Sequence, residues 1–364
     1  MKVLHLLTSG GVGGIETLVK DYSRLSNLDN TFVFTYTGGD IADEMTSRGD
    51  KCIVLKHSKK SIIKTYRYLD DLCKKEQFSA IVVQPAAPVL YLYALRLKNK
   101  YNMQFFAYAH SDAYDMVRFN EKNAAFRNTV MKFALQRADG IVAISNYVKK
   151  TVEDIFAIDD KRIRVIYNGV DINKYSGDDE DSTSDEELKI IYVGRLIAEK
   201  GVQILLDALS KVDKSISINC KIVGSGTYED ELKAISKRLQ LEDRVEFLGR
   251  RRDVDKLLSQ ADIFIHAALW QEGFGITIIE AMSAGKICVC SDCGAIPEII
   301  DDGINGYLFK QGDAKALAQK IEEVYKMSDE QKKEMSLKAK EKAKRFNIDG
   351  YVKSLDDFIA ASNS

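Results

Sequence analysis

This sequence of 364 residues lacks an excess of charge of either sign, and its first apolar run is too short to cross a bilayer. The formal net charge is −1, which excludes a general attraction of the whole chain to nucleic acid or to an anionic surface. The run from Val3 to Leu7 is far shorter than the roughly 20 residues of a membrane span, and no small-residue cleavage site accompanies it. We therefore interpret it as a first β-strand and expect a cytoplasmic protein.

A disulfide framework and a metal-binding pattern are also missing. Six cysteines in a chain of this length do not form the scaffold of a small secreted domain, so a reducing compartment is expected. Three of them, Cys288, Cys290 and Cys293, share a strand-like stretch with no histidine or fourth cysteine nearby. We predict that these are buried thiols, and we expect the protein to need no metal ion or other cofactor.

The length and composition indicate two domains. An apolar content of 45% is ordinary for a globular protein, and 364 residues exceed the size at which one core keeps growing. Strand-like runs alternate with helical patterns along the chain, which is typical of a parallel sheet covered by helices, so the predicted fold class is α/β. Strands are predicted at residues 3–7, 32–36, 81–84, 104–109, 141–144, 165–166, 189–193, 219–223, 245–248, 263–266, 287–290 and 306–308.

An acidic stretch without apolar residues, GDDEDSTSDEE at residues 177–187, predicts a linker loop. It separates an N-terminal Rossmann-like domain, residues 1–175, from a C-terminal one, residues 188–345. Residues 349–364 have helical apolar spacing that must be buried, and we expect this helix to return to the first domain. Two doubly wound domains face each other across a cleft, where the carboxyl ends of the strands bind ligands.

The first motif is the glycine-rich stretch GGVGG, Gly10 to Gly14, directly after the first strand. Glycine lets the backbone approach a ligand closely, and the start of the following helix can offer amide groups to an anion. The stretch matches neither the dinucleotide-binding pattern nor the Walker loop. The glycines alone leave two interpretations open, a binding loop and a tight turn without a ligand.

The second motif has two cations after the first strand of the second half, Arg195 beside Gly194 and Lys200 beside Gly201. A guanidinium and an ammonium at a strand end can neutralise a diphosphate. Solvated surface cations are the alternative, and the position after the strand favours the functional interpretation.

The third motif is EGFGITIIE, from Glu272 to Glu280. Its glycines predict a loop, and the helical spacing from Ile276 onward predicts a helix whose first turn offers amide groups to a phosphate. Glu280 is the only charge in an apolar run. It lies either on the one solvated stripe of a mostly buried helix or against a polar ligand such as a ribose diol.

Together these motifs resemble the family 4 glycosyltransferases of the GT-B fold. The resemblance rests on EGFGITIIE with glutamates eight residues apart, GRLIAEKG at residues 194–201, VIYNGVD at 165–171 and GSG at 224–226, and it extends over nearly the whole chain. It implies that Arg195 and Lys200 bind the diphosphate of a nucleotide-sugar donor. It also implies that Glu280 binds the ribose hydroxyls and Glu272 the hydroxyls of the transferred sugar.

The same resemblance implies further site residues. His110 ends a strand, where a lone histidine is more often structural, but family members have a histidine there beside the donor sugar, which makes it a catalytic candidate. Asp112 is a secondary candidate for an acceptor or sugar contact. The chain departs from the family pattern at Ala267-Ala268-Leu269-Trp270, where many members have Pro-Ser before an aromatic residue, and Gln271 then precedes Glu272. Further implied donor-binding residues are Gly11, Gly13 and Gly14, in a loop closing over the phosphates, and Gly224, Arg250, Gly273, Phe274, Gly275, Ile276 and Thr277.

The function implied is retaining transfer of a hexose or N-acetylhexosamine from a UDP-sugar to a saccharide or lipid-linked saccharide, in polysaccharide or glycoconjugate synthesis. Fixed cations stabilise the leaving diphosphate, so no metal is required. The D-x-D sequence from Asp253 to Asp255 is predicted on a surface helix. Two alternatives are a nucleotide-sugar hydrolase or epimerase and a binding protein without activity.

A local basic stretch from Lys56 to Lys75 suggests a partner. Four cations, Lys59, Lys60, Lys64 and Arg67, alternate with apolar residues at helical spacing: Ile62, Ile63, Tyr66 and Leu69. This is typical of an amphipathic helix, either one that packs its apolar face inward or one that docks on an anionic membrane. The second interpretation implies a peripheral position on the inner face of the cytoplasmic membrane.

Overall fold

The computed structural model describes residues 1–84, 88–114, 124–175 and 187–361. The chain divides into two compact units. The first contains residues Met1–Gly169 and Ile348–Ser364, and the second contains Val170–Asn347. The predicted acidic linker, residues 177–187, lies outside the described residues except for Glu187, which begins a strand of the second unit.

The first unit is built on a seven-stranded sheet whose paired strands are all parallel, in the order β3-β2-β1-β4-β5-β6-β7. Its central strand, Ala80–Val83, is continuously apolar because helices cover both faces of such a sheet, and these four residues have no exposed surface. The strands are β1 Lys2–Ser9, β2 Asp29–Thr37, β3 Cys52–Val54, β4 Ala80–Val83, β5 Gln104–Ala109, β6 Gly140–Ala143 and β7 Ile163–Val165.

Helices connect these strands. A side-chain cap fixes one start: Ser145 accepts a hydrogen bond from the backbone N–H of Val148. The helices in the first part of this unit are α1 Gly14–Leu25, α2 Asp40–Arg48, α3 Ile62–Glu76, α4 Pro88–Tyr101, α5 Ala124–Leu135 and α6 Asn146–Phe156, with a 3₁₀ turn at Asp160–Arg162.

The second unit has a six-stranded sheet, again with parallel pairs, in the order β10-β9-β8-β11-β12-β13. Its strands are β8 Glu187–Val193, β9 Ser217–Val223, β10 Val245–Gly249, β11 Ile263–His266, β12 Ile287–Asp292 and β13 Tyr307–Lys310. Its helices are α7 Val202–Leu209, α8 Glu229–Arg238, α9 Val254–Ser259, α10 Ile276–Ser283, α11 Ile296–Ile299, α12 Ala314–Tyr325 and α13 Asp329–Ala343, with 3₁₀ turns at Ile172–Tyr175, Ala198–Lys200 and Lys344–Phe346.

The last described helix, α14 (Ile348–Ala361), belongs to the first unit. Its Asp356 is buried and accepts hydrogen bonds from the Tyr22 and Ser26 hydroxyls at 2.7 and 2.8 Å and from the Asn27 backbone N–H at 2.9 Å. The ring of Phe358 packs edge-on against Phe106 of the sheet. Polar and aromatic contacts therefore both hold α14 on this unit.

The structure departs from the predicted elements and domain limits at several points, of which the following are the clearest. The strand β3 was not predicted, and β7 begins at Ile163, before the predicted stretch 165–166. The first unit ends at Gly169, before the predicted limit at residue 175, because Val170 pairs with Asn347 and donates its N–H to the Phe346 carbonyl. The predicted limits of the second domain, 188 and 345, become 170 and 347 for the same reason.

Candidate functional site

The candidate donor site of the second unit lies where its strand order reverses. β8 has β9 on one side and β11 on the other, so the loops after β8 and β11 leave the sheet in the region where doubly wound folds bind ligands. Arg195 and Lys200 follow β8, and Glu272 follows β11. The sheet topology therefore brings the second and third sequence motifs to one edge.

Two glycines allow these loops to pack closely. A Cβ on Gly201 would overlap the carbonyl oxygen of Ala267, and one on Gly224 would overlap the carbonyl oxygen of Gly194. Both glycines also have positive φ angles, +72° and +143°. The close packing of the backbone therefore requires a glycine at position 224, where the resemblance implied a donor contact.

Two cations share one aromatic ring in this site. The Arg195 Cζ atom lies 5.7 Å from the ring centroid of Trp270, and the Lys200 Nζ atom lies 4.8 Å from it. Both distances are within the range of cation–π attraction, about 6 Å. Arg195 is exposed and Lys200 is half-buried, so the two charges lie where an anion can reach them.

Glu272 is the point at which three donors meet. Its Oε2 atom lies 2.6 Å from Lys200 Nζ, 3.0 Å from Trp270 Nε1 and 3.4 Å from His266 Nε2. Burial alone would raise the pKa of Glu272, but the hydrogen bond from His266 and the charge of Lys200 outweigh it and hold the pKa well below its usual range. Glu272 is therefore a carboxylate at neutral pH.

The glycine-rich loop leads into α10 as predicted. Gly273 and Phe274 are buried, and the Phe274 ring packs edge-on against Phe346 with centroids 5.5 Å apart. Gly275 precedes the helix with φ +134°. The first helical turn then contains Ile276 and Thr277, whose backbone N–H groups have no acceptor within the helix.

Glu280 lies inside α10 and contacts a residue distant in sequence. Its Oε1 atom accepts a hydrogen bond from the Tyr175 hydroxyl at 2.7 Å, and Tyr175 is buried. Burial raises the pKa of Glu280, and the hydrogen bond from Tyr175 opposes that rise. The Glu280 carboxyl group therefore has a hydrogen-bond partner within the protein, which neither of the two interpretations left open by the sequence included.

Arg250 and Asp253, both near the end of β10, have different surroundings. Arg250 follows β10 and is exposed. Asp253 precedes α9, and its two oxygens accept hydrogen bonds from the Arg251 guanidinium at 2.8 and 2.6 Å. The D-x-D sequence begins at this ion pair on the surface.

In the first unit, the glycine-rich loop connects β1 to α1. Gly11 donates its N–H to the Ser9 hydroxyl at 3.1 Å, and α1 begins at Gly14 after an extended Gly13. The Glu16 carboxylate folds back beside Gly13, and burial raises the pKa of Glu16. A protein carboxyl group therefore occupies the helix start at which an anion was expected.

His110 follows β5 and contacts Gln84, the residue directly after the neighbouring strand β4. Its Nε2 lies 2.6 Å from the Oε1 atom of buried Gln84, and its ring stacks on Tyr108 at 4.1 Å. Burial lowers the pKa of His110 to about 3, so the ring is neutral at pH 7. With Nε2 donating to Gln84, the lone pair is on Nδ1, which is buried and has no hydrogen-bond partner among the described residues.

Asp112 has structural partners. Its carboxylate accepts hydrogen bonds from the Tyr114 backbone N–H at 2.8 Å and from the Tyr147 hydroxyl at 2.6 Å. It is buried, and both oxygens are engaged. This arrangement favours a role in shaping the loop after β5.

The basic stretch from Lys56 to Lys75 contains α3, but its buried stripe differs from the predicted one. Thr65, Leu69 and Cys73 are buried, whereas Ile62 and Ile63 are 49% and 69% exposed. The surface cluster formed by these two isoleucines also contains Lys59, Lys60, Lys64 and Arg67, all exposed. Within the part of the chain that the structure describes, none of these four cations forms an ion pair.

The described residues contain neither a cluster of metal ligands nor a membrane-spanning helix. No group of three or more histidine, cysteine or acidic side chains within residues 1–84, 88–114, 124–175 and 187–361 could hold a metal ion. Cys288, Cys290 and Cys293 are free and buried, as predicted. Among the described helices, none is long and apolar enough to cross a bilayer.

Sequence reasoning missed the residues that support the predicted ones. Trp270, His266 and Tyr175 contact Glu272 or Glu280, and Gln84 contacts His110. Only Trp270 had a signal in the sequence, because it lies in the tetrapeptide that departs from the family pattern. The others contact the site through tertiary structure alone.

Comparisons with known proteins agree with this architecture. The model of "Glycosyl transferases group 1" matches residues 178–345, and that of "Glycosyltransferase Family 4" matches residues 12–174. Crystal structures of Anabaena Alr3699/HepE in complex with UDP and with UDP-glucose are similar to this chain with TM-scores of 0.87 and 0.85. Each is 22% identical to this chain, and the match covers 99% of this chain and 100% of the Alr3699/HepE chain.

Two curated relatives match shorter stretches. N-acetyl-alpha-D-glucosaminyl L-malate synthase of Bacillus anthracis is 28% identical over 59% of this chain and 57% of its own length. Putative colanic acid biosynthesis glycosyltransferase WcaL of Salmonella typhimurium is 29% identical over 44% of this chain and 42% of its own. The matches thus span about half the length of these relatives. The two parallel sheets with flanking helices match GT-B structures of the same length. The two family models together extend over nearly all of the sequence, and this chain therefore belongs to the family 4 glycosyltransferases.

Proposed function

We propose that this glycosyltransferase moves a hexose or N-acetylhexosamine from a UDP-sugar to a saccharide or lipid-linked saccharide, with retention of anomeric configuration. The observation that carries the proposal is the contact of Lys200 with Glu272, 2.6 Å apart, where the strand order of the second sheet reverses. A phosphate-binding cation and a sugar-binding carboxylate thus meet at the ligand-binding edge of the fold.

The donor is held by charge and by the helix start. Cleavage of the bond between the anomeric carbon and the phosphate leaves negative charge on the diphosphate, which Arg195, Lys200 and the first amides of α10 stabilise. Glu280 accepts hydrogen bonds from the ribose hydroxyls, and Glu272 accepts them from the sugar. We assign Arg250, which is exposed after β10, to the nucleobase end of the donor. The fixed positive charge of the chain takes the place of a metal ion, so no metal is required.

Uridine and the sugar class are supported by the relatives. Alr3699/HepE has been crystallised with UDP and with UDP-glucose. The Bacillus anthracis relative is named for N-acetylglucosaminyl transfer, and WcaL is named for colanic acid biosynthesis. We extend to this chain the uridine donor of the Alr3699/HepE complexes, and the biosynthetic role in WcaL's name supports our proposal of polysaccharide or glycoconjugate synthesis.

His110 of the first unit is assigned a hydrogen bond to a hydroxyl of the donor sugar. Its neutral ring donates from Nε2 to Gln84 and leaves Nδ1 as an acceptor. The ring is therefore preset to accept an O–H rather than to transfer a proton. Retention without a protein nucleophile follows if the departing phosphate deprotonates the acceptor on the same face of the sugar.

The exposed cluster on α3 supports peripheral contact with an anionic membrane. Two exposed isoleucines lie among four cations that have no ion-pair partner in the described residues, a combination that favours the surface of an anionic bilayer. Such contact gives the enzyme access to a lipid-linked acceptor at the inner face of the membrane.

A panel of nucleotide sugars tests the donor assignment by thermal stabilisation and slow hydrolysis. A ligand at 100 times its Kd stabilises the folded state by about 2.7 kcal/mol. We expect a UDP-sugar to raise the Tm of the parent but not of Glu280→Ala or Lys200→Ala, while Lys233→Ala, a surface control on α8, behaves like the parent. Stabilisation without UDP release indicates a binding protein, and isomerised donor indicates an epimerase.

Three further measurements test the finer claims. The first-formed anomer of the released sugar, observed by NMR, reports retention or inversion. Turnover that survives EDTA supports a metal-free reaction, and loss restored by Mg²⁺ contradicts it. Co-sedimentation with phosphatidylglycerol vesicles, sensitive to salt and weakened in Ile63→Asp and Lys64→Glu, supports membrane contact, and equal binding to phosphatidylcholine contradicts it.

A further inference from the structure

We infer that Trp270 is a positioning residue that orders both charge systems of the donor site, the cations for the diphosphate and the carboxylate for the sugar. The inference rests on the proposed function. Trp270 is the only tryptophan in the sequence, and it lies in the tetrapeptide that departs from the family pattern. Its side chain contacts Arg195, Lys200 and Glu272.

The ring and the indole N–H contact different groups. The ring faces Arg195 and Lys200 at 5.7 and 4.8 Å, which holds two like charges close together at one surface. The N–H donates to Glu272 Oε2 at 3.0 Å. When a diphosphate attracts Lys200 away from Glu272, this N–H still fixes the carboxylate in place for the sugar hydroxyls.

The loop around Trp270 is held by its backbone. The carbonyl of Trp270 accepts a hydrogen bond from the Gln311 side chain at 3.0 Å, and the N–H of Leu269 donates to the Glu199 carbonyl at 2.8 Å. A change of the ring therefore leaves the course of the loop intact. This permits substitutions that separate the ring from its N–H.

Trp270→Phe keeps an aromatic ring and removes the N–H, whereas Trp270→Leu removes both. For the UDP-sugar that stabilises the parent best, we expect Trp270→Phe to change the Kd for UDP by less than about threefold and to lower the kcat of donor hydrolysis by about tenfold. Trp270→Leu is expected to raise the Kd by about tenfold and to lower kcat as well. Leu269→Ala, an exposed neighbour, is the control for disturbance of the loop.

The single tryptophan also reports binding directly. Emission of the parent is expected to change on titration with UDP and to saturate with the Kd that calorimetry measures. Three outcomes overturn the inference but leave the proposed donor site intact. They are a kcat of Trp270→Phe equal to that of the parent, a Kd of Trp270→Leu equal to that of the parent, and a tryptophan emission that does not change at saturating UDP. A parent that neither binds UDP nor hydrolyses any UDP-sugar overturns the proposed function, and this inference with it.

Discussion

Lys200→Ala is expected to destabilise the second unit because it leaves Glu272 as an uncompensated carboxylate. Lys200 and Glu272 are only 17% and 16% exposed, and their charged atoms are 2.6 Å apart. At an effective dielectric constant of about 20, this separation corresponds to an attraction of about 6 kcal/mol, and removal of one partner of a buried pair typically costs about 3–5 kcal/mol. Trp270 and His266 still donate to Glu272, so we expect a loss of about 3 kcal/mol, or roughly 6–12 °C in Tm.

The measurement is urea unfolding followed by tryptophan emission, since the only tryptophan lies in this unit. Lys233→Ala is the matched control: its ion pair with Glu229 is as short, 2.7 Å, but Lys233 is 50% exposed, and no measurable change is expected. Adding Glu272→Ala to Lys200→Ala removes the unpaired charge and is expected to recover part of the stability. A loss below about 1 kcal/mol in Lys200→Ala, or an equal loss in the control, refutes the reasoning.

Three other perturbations have expected outcomes. Burial lowers the pKa of His5 to about 4 and that of His110 to about 3, so the unfolded chain binds more protons below about pH 6.5. The free energy of unfolding is expected to fall as the pH drops from 6.5 to 4, by up to about 1.4 kcal/mol per pH unit for each histidine, and His5→Asn should flatten this slope in pH-dependent denaturation. Asp356→Ala is expected to cost about 2–4 kcal/mol in urea unfolding because three donors lose their buried acceptor, whereas the neighbouring Asp357→Ala should have little effect, and equal losses contradict the account. Tyr175→Phe removes the hydrogen bond that opposes the raised pKa of Glu280, so the carboxylate should become protonated at a higher pH than in the parent. When UDP affinity is measured between pH 8 and pH 5, the loss of affinity on acidification should therefore begin at a higher pH. Coincident pH profiles of variant and parent count against a role for Tyr175.

Much of the fold could be predicted because buried parallel strands are short continuous apolar runs. β1, β5 and β11 have this form, and they were predicted within a few residues of their observed limits. The strand β3 was missed although it lies in a short apolar run, residues 52–55; its three strand residues are only half-buried. The alternation of strands and helices also allowed the motifs to be assigned to the carboxyl ends of strands, because ligand-binding loops of a doubly wound fold follow those ends.

Side-chain environments were harder to predict than elements. On α3, the spacing of Ile62, Tyr66 and Leu69 fits a helix as well as the buried stripe through Thr65 and Cys73 does, so periodicity could not decide which side faces the sheet. The hydrogen bond of Tyr175 to Glu280 joins residues that are 105 positions apart, and no local pattern carries that information. The identities of the site residues come from motifs, whereas their partners come from tertiary packing.

The return of α14 to the first unit makes biosynthesis of that unit discontinuous. The helix follows the whole second unit in the order of translation, so Tyr22, Phe106 and their neighbours wait for it while the intervening segment is synthesised. At about 5–20 residues per second, the wait lasts roughly ten to forty seconds. During that time the nascent first unit lacks the helix that covers Tyr22 and Phe106 in the folded protein.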